Sequence, residues 1–256
     1  MWFAESAGCM NIDYTRYYLK WHQNTPEHRA SMVAMYQRIL GPYLPQNRQA
    51  RMLDVGCGMG FALSTLQSLG FQHLEGFDCD TGQVQACVQA GLNVTQVPVE
   101  ETLAHLRARA GVFDFVLSLD VLEHIPVNAV MEVVAAIAGT LRPGGVFLCT
   151  VPNANNLIAE RWRYNDWTHH NSFTEHSLDF LLYNGGFQDI QVHPIEFQTK
   201  PPRAWLPVGA AKHWWLFRFF RLWRRLEMMA ELGPAQGRAV PLSLNLLAVA
   251  RDPKPR

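Results

Sequence analysis

Two stretches of the chain carry residue types able to do chemistry. Leu53–Gly60 reads LDVGCGMG, with glycines at 56, 58 and 60 where an apolar run gives way to a helical pattern. A strand-to-helix turn of this kind needs backbone with positive φ, and the missing side chains let a ligand approach the main chain. The dinucleotide fingerprint G-x-G-x-x-G fails, because Phe61 or Leu63 stands at the third glycine in either register. The phosphate loop G-x-x-x-x-G-K-[ST] is also absent. Asp78 follows Gly56 by 22 residues and ends the next apolar run. An acid there can accept both hydroxyls of a ribose. The combination asks for a ribose-bearing ligand without a pyrophosphate. The second stretch, Arg161–Thr174, reads RWRYNDWTHHNSFT and gathers Asp166, His169, His170 and Asn171. Histidine titrates near neutral pH, so this set suits removal of a proton.

Regular elements must hold these residues. Short apolar runs at Arg51–Val55, Leu74–Phe77, Leu92–Val97, Phe113–Leu119 and Val146–Val151 alternate with helical patterns at 60–69, 81–90, 100–110 and 128–141. Such β-α alternation predicts an α/β fold with a doubly wound, mostly parallel sheet. A helix at Ser177–Tyr183, a sixth strand at Gln188–Val192 and a seventh at Leu242–Ala250 complete seven strands. Helical patterns at 13–40, interrupted at Pro26, precede the sheet, and an insertion at 198–241 precedes the last strand. Loops leaving the carboxyl ends of parallel strands form the ligand crevice. Both reactive stretches are therefore expected on one edge of the sheet.

Composition narrows the field. Among 256 residues, 22 basic side chains balance 22 acidic ones. Zero net charge disfavours a broad phosphate-binding face, and no nucleic-acid partner is expected. Cys9, Cys57, Cys79, Cys87 and Cys149 include no C-x-x-C, which suits a reducing compartment. Glu5 and Asp13 stand where a secretory signal would be basic and then apolar. No run reaches the ~18 apolar residues of a membrane span. A cytoplasmic protein is expected.

LDVGCGMG, the strand-end acid in EGFD, the strand FDFVLSLDVLEHI and the turn LRPGG, taken in order, resemble class I S-adenosylmethionine-dependent methyltransferases. The resemblance covers about residues 35–195 and the last strand, and it implies a Rossmann-like methyltransferase fold. It makes 1–256 one methyltransferase domain with an N-terminal helical cap at 13–45 and a cofactor-binding core at 51–197. It implies that Gly56 and Gly58 line the methionine part of S-adenosyl-L-methionine, that Asp54 orients its amino group, and that Asp78 holds the ribose. Backbone at Ser118 and Leu119 would face the ammonium. The family's frequent G-D-A-E is replaced by Val97-Pro98-Val99-Glu100, so the adenine contact falls to Val99 or Glu100, or Glu100 is a plain first-turn acid. Cys79 is placed to pack on adenine or ribose.

The loop D-x-T-H…F-T looks like that of methyltransferases in surface-glycan gene neighbourhoods. The loop's expected place at the crevice makes His169 the first candidate base, with Asp166 to orient or charge-stabilise it and His170 as second. The alternative is that Asp166 and His169 only tie the loop together. His124 either lies near the transferred methyl or shapes the cofactor pocket. His169, His170 and His176 bring no matching ligand spacing, so no metal is expected. Ser118-Leu119-Asp120-Val121 replaces the N-P-P-[YF] of amino-methylating DNA enzymes, and Glu123 stands without the second glutamate of arginine methyltransferases. A small-molecule or glycan acceptor, O-methylated on a sugar hydroxyl, is the leading expectation, with Trp162, Tyr164 and Trp167 serving sugar faces or lid packing. The alternatives are a quinone or lipid-intermediate methyltransferase and a non-catalytic cofactor-binding partner subunit.

The insertion holds KHWWLFRFFRLWRR at Lys212–Arg225, five bases apart from His213 and no acid. Arg218, Arg221 and Arg225 share one helical face. The segment 212–226 reads either as a lid or dimer helix with buried tryptophans, or as a helix lying peripherally on the inner face of an anionic membrane. The oligomeric state stays open.

Overall fold

A computed structural model describes residues 14–20, 22–196 and 208–252. Glu5, Cys9, Asp13, Trp21 and residues 198–207 of the insertion lie outside the described residues. Seven strands form one sheet: β1 (Arg51–Val55), β2 (His73–Asp78), β3 (Val94–Gln96), β4 (Phe113–Leu119), β5 (Leu141–Pro152), β6 (Gln188–Pro194) and β7 (Asn245–Arg251). Their spatial order is β3-β2-β1-β4-β5-β7-β6. The first five pair in parallel, and β7 is antiparallel to both neighbours. The order reverses between β1 and β4, so their carboxyl ends open the crevice of a doubly wound sheet.

Burial follows from this arrangement. β4, FDFVLSL, has almost no polar alternation because helices cover both faces. On one face α6 (Val127–Thr140) buries Val130, Val133, Val134 and Ile137, one stripe at helical spacing. This stripe joins Phe113, Phe147, Leu178 and Phe187 in the larger core. α8 (Glu175–Asn184), opened by the Thr174–Ser177 capping box, adds Leu178, Leu181 and Leu182. The opposite face is covered by α2 (Pro26–Leu40) and α3 (Phe61–Ser68) around Leu40, Leu66, Phe71 and Phe115. α4 (Thr81–Gln89) packs on β2 and β3, and α5 (Thr102–Arg107) packs against α6.

Several local expectations change. The helix expected from residue 13 is only one turn, α1 (Tyr14–Tyr18), before Pro26 starts α2. LRPGG does not simply precede the fifth strand. Leu141 already pairs with Phe113 and Val146 with Phe115, so Arg142–Gly145 bulge out where Gly144 takes φ 75. Part of the loop expected at 161–174 is helical: α7 (Leu157–Asn165) is capped by Asn156 and ends just before Asp166. Its exposed residues hid a helix whose one buried position is Ala159.

The insertion forms a helical hairpin, α9 (Val208–Leu232) and α10 (Pro234–Ala239), turned at Gly233 with φ 84. The helices meet closely at Gly237, where a Cβ would stand 2.4 Å from the Cα of Met229. Arg225 Nη1 donates to the carbonyls of Gly237, Arg238 and Val240 at 2.6–2.9 Å. Arg221 pairs with Glu196 at 3.3 Å. Two of the three bases expected on one exposed face thus serve the protein itself. Of the tryptophans that the lid or dimer reading would bury, Trp215 and Trp223 are exposed and Trp214 is half-buried, and Phe219 and Phe220 are exposed beside them.

Candidate functional site

The glycine turn is preset for a ligand. Gly56 and Gly58 take φ 68 and 53, which side chains disfavour. A Cβ on Gly56 would lie 2.6 Å from Cγ2 of Val121, so the missing side chain also lets the segment after β4 close on the turn. The backbone N–H of Gly58 donates to Oδ2 of Asp78 at 2.9 Å, and that of Asp80 donates to Oδ1 at 2.9 Å. The carboxylate is thereby oriented with acceptor capacity to spare. Burial raises the Asp78 pKa, against these two donors, which lower it. Asp54, on the neighbouring strand, is buried. Burial and the Asp78 charge push it up to about 7. Two acids so placed favour a cationic ligand.

The other expected cofactor residues lie at the same edge. Ser118 is fully buried and Leu119 half-buried at the end of β4. Val99 and Glu100 sit in a single 3₁₀ turn after β3, the first half-buried and the second exposed. Cys79 is exposed beside Asp78. Asp120, not singled out from the sequence, has φ 54, a conformation unusual for a non-glycine residue. Thr150 Oγ1 and Asn245 Nδ2 hold its Oδ1 at 3.0 and 3.2 Å. Only its place immediately after β4 could have marked it.

After β4 and after α7 the chain brings together a cluster of carboxylates and imidazoles. Asp166 and His169 do not form the expected orienting hydrogen bond: His169 Nε2 is 3.9 Å from Asp166 Oδ2. Asp166 instead accepts from Thr168 N at 2.9 Å, Thr168 Oγ1 at 2.6 Å and Tyr14 OH at 3.2 Å. Thr168 Oγ1, having given its proton to Asp166, accepts from His124 Nδ1 at 2.7 Å. The relay Asp166–Thr168–His124 therefore leaves Nε2 of His124 with its lone pair. His169 lies edge-on to His124, with ring centroids 4.4 Å apart. Burial and the neighbouring His169 push His124 down to about 4, and burial also lowers His169. His170 is exposed, and its N–H ties the loop to the Glu123 carbonyl at 2.7 Å. The sequence points to His169 and Asp166, with His170 second; Thr168 and Tyr14 carry no signal in it, and His124 reads there as lying near the methyl or shaping the cofactor pocket. An acid-histidine pair directly after a central strand was the available signal.

α1 lies across the crevice mouth. Thr15 hydrogen-bonds Asp80, next to the glycine turn, through N and Oγ1. Tyr17 OH donates to the carbonyl of Asn165 at 2.7 Å. Tyr14 meets His124 edge-to-face at 5.8 Å. Trp162, Tyr164 and Trp167 are 39–87% exposed, which removes the lid-packing reading for these rings.

A family profile described as a methyltransferase domain matches residues 22–192. Among curated relatives, a ubiquinone biosynthesis O-methyltransferase of Nitrosococcus oceani is 36% identical over 108 residues, 40% of this chain and 43% of that one. The namesake of Marinobacter nauticus is 36% identical over 111 residues, 41% and 45% of the two chains. The chain thus spans less than half the length of these curated relatives. Among solved structures, a SAM-dependent methyltransferase of Archaeoglobus fulgidus superposes with TM-score 0.64 at 18% identity, covering 93% of this chain and all of that one. A phosphoethanolamine N-methyltransferase of Haemonchus contortus, in complex with phosphomonomethylethanolamine and S-adenosylhomocysteine, gives TM-score 0.58 at 17% identity, covering 86% and 53%.

The relay has a direct spectroscopic test. Thr168→Val removes the acceptor at His124 Nδ1, and ¹⁵N NMR should then show His124 as a tautomer mixture instead of one Nδ1–H form. An unchanged spectrum would remove the relay.

Proposed function

Because the chain belongs to the methyltransferase-domain family, we propose that it is an S-adenosylmethionine-dependent O-methyltransferase acting on a hydroxyl of a polar small molecule or glycan end. A sugar in a surface-glycan precursor is the preferred acceptor. The observation that carries the reading is the neutral imidazole pair His124 and His169, set beside the crevice that the glycine turn lines. A hydroxyl is a poor nucleophile until its proton is taken, and an imidazole unprotonated at neutral pH can take it.

The cofactor fits the donor set. Asp54 and Asp78 suit a sulfonium bearing an ammonium, Asp78 offers free lone pairs to ribose hydroxyls, and positive-φ Gly56 and Gly58 leave room for the methionine part. Carbonyls at Ser118 and Leu119 would complete the ammonium contacts, with Val99, Glu100 and Cys79 beside the adenine. When bound, the cofactor supplies a methyl group already activated for in-line displacement. The chain's task is then alignment and proton removal. Alignment can contribute about 7–11 kcal/mol of the barrier. α1, hydrogen-bonded to Asp80 and Asp166, would help keep water from the reacting groups. The exposed rings of Trp162, Tyr164 and Trp167 suit the flat faces of a sugar.

A second reading, methylation of a quinone-type phenol or other lipid intermediate, is favoured by the names of the curated relatives. Both readings are compatible with a membrane contact through 212–226. On α9, Trp215, Leu216, Phe219, Leu222, Trp223 and Leu226 form an outward stripe, each 44–66% exposed. Lys212 and Arg218 remain exposed along it. We take an anionic bilayer as its occupant, since a convex helix with interfacial tryptophans and flanking cations has the composition of an interfacial helix. Among the described residues, no helix is long and apolar enough to cross a membrane.

His124→Ala and His169→Ala should each lower turnover by about 10²–10⁴-fold with S-adenosylmethionine affinity intact. Assays with sugar and phenol acceptors in parallel decide the acceptor class, and wild-type turnover in both variants would leave the pair structural. Co-sedimentation with vesicles containing anionic lipid should retain the protein with only modest salt sensitivity. Trp215→Ser/Trp223→Ser should release it, and no vesicle binding by the wild type would return α9 to a protein contact.

A further inference from the structure

Glu123 belongs to none of the roles above, yet it is held at the centre of the acceptor side. It is 1% exposed, and its Oε2 has no hydrogen-bond partner. A buried carboxylate oxygen left without a donor is costly, and the cost is relieved by a proton or a cation. Asp120 and Asp166 add repulsion to the effect of burial. The fold also places two imidazoles beside this carboxylate. Ligand-type atoms of Glu123, His124 and His169 all lie within 4.8 Å of one another. The first two residues follow β4 and the third follows α7, so sequence spacing alone concealed the set.

We propose that Glu123, His124 and His169 bind a divalent first-row cation, Mn²⁺ or Zn²⁺, at the acceptor end of the crevice. Two imidazoles and one carboxylate are borderline donors, which favour these ions over Mg²⁺ or Ca²⁺. A second observation supports ligation. Histidines that hold metals commonly donate their other ring N–H to a hydrogen-bonded carboxylate system that fixes the tautomer. His124 does this through Thr168 to Asp166 and keeps Nε2 free to ligate. His169, His170 and His176 alone make no ligand set; the segment after β4 supplies the other two donors.

Three protein ligands leave coordination positions open. The role of the ion rests on the O-methyl transfer reading, whereas the site itself does not. A hydroxyl bound at an open position loses its proton to solvent more readily, and its oxygen then forms the bond to the methyl carbon as the carbon–sulfur bond breaks. The sulfonium charge is cancelled as a neutral thioether leaves. The ion would thus take over from a free imidazole base, and loss of either histidine would lower turnover by losing the ion.

The test uses full-length protein stripped with a chelator and then titrated separately with MnCl₂ and ZnCl₂ by calorimetry, with metal content measured after desalting. One equivalent per chain is expected for the wild type. Glu123→Gln and His169→Ala should each weaken binding by at least about tenfold, while His176→Ala, an exposed histidine, should not. S-adenosylmethionine titration of the same samples establishes that the variants are folded. No stoichiometric ion in the wild type, or wild-type affinity in folded Glu123→Gln, would overturn the proposal. A metal-loaded protein that methylates no hydroxyl acceptor would instead sink the O-methyl transfer reading and leave the site standing.

Discussion

The two backbone hydrogen bonds that hold Asp78 are the contact on which the crevice depends. They lock the end of β2 to the glycine turn after β1 and to the start of α4. They also keep a largely desolvated carboxylate beside buried Asp54. Like charges packed this closely are unfavourable in the protein alone, as the raised Asp54 shows. The arrangement becomes favourable when a cation arrives. The turn cannot be moved to relieve it, because Gly56 and Gly58 are held at positive φ and Val121 occupies the space above Gly56.

Val121 also joins the two halves of the site. It contacts the glycine turn on one side and leads into Leu122–His124 on the other. The half around the glycine turn and the half around the imidazoles are therefore coupled through one short segment after β4. α1 closes the same two halves from above, with Thr15 on Asp80 and Tyr14 on Asp166. The buried acids of the first half suit a cation that carries a methyl group. The imidazoles of the second half suit an oxygen about to lose a proton.

Much of this was legible in the sequence, and the reason is physical. β1 and β4 are buried on both faces, so they show as bare apolar runs, and both bounds were read correctly. Positive-φ glycines and a strand-end acid are local signals, so Gly56, Gly58 and Asp78 could be placed at one edge. α7 was misread because it is almost wholly exposed and lacks an apolar stripe. The relay through Thr168 and the approach of Glu123 to His169 join segments more than 40 residues apart, and no periodicity reports such a contact. The insertion was read as amphipathic, but its orientation was not legible. Arg221 and Arg225 turned inward because carbonyls at the end of α10 and Glu196 lay within their reach.

Calorimetric titration with S-adenosylmethionine tests the central claim most directly. The account predicts one site per chain and an affinity that rises between about pH 6 and 8 as Asp54, with its pKa pushed up to about 7, becomes charged. Asp54→Asn should flatten that rise, and Asp78→Ala should weaken binding at every pH. No binding at millimolar cofactor, or an affinity indifferent to the loss of Asp78, would contradict it.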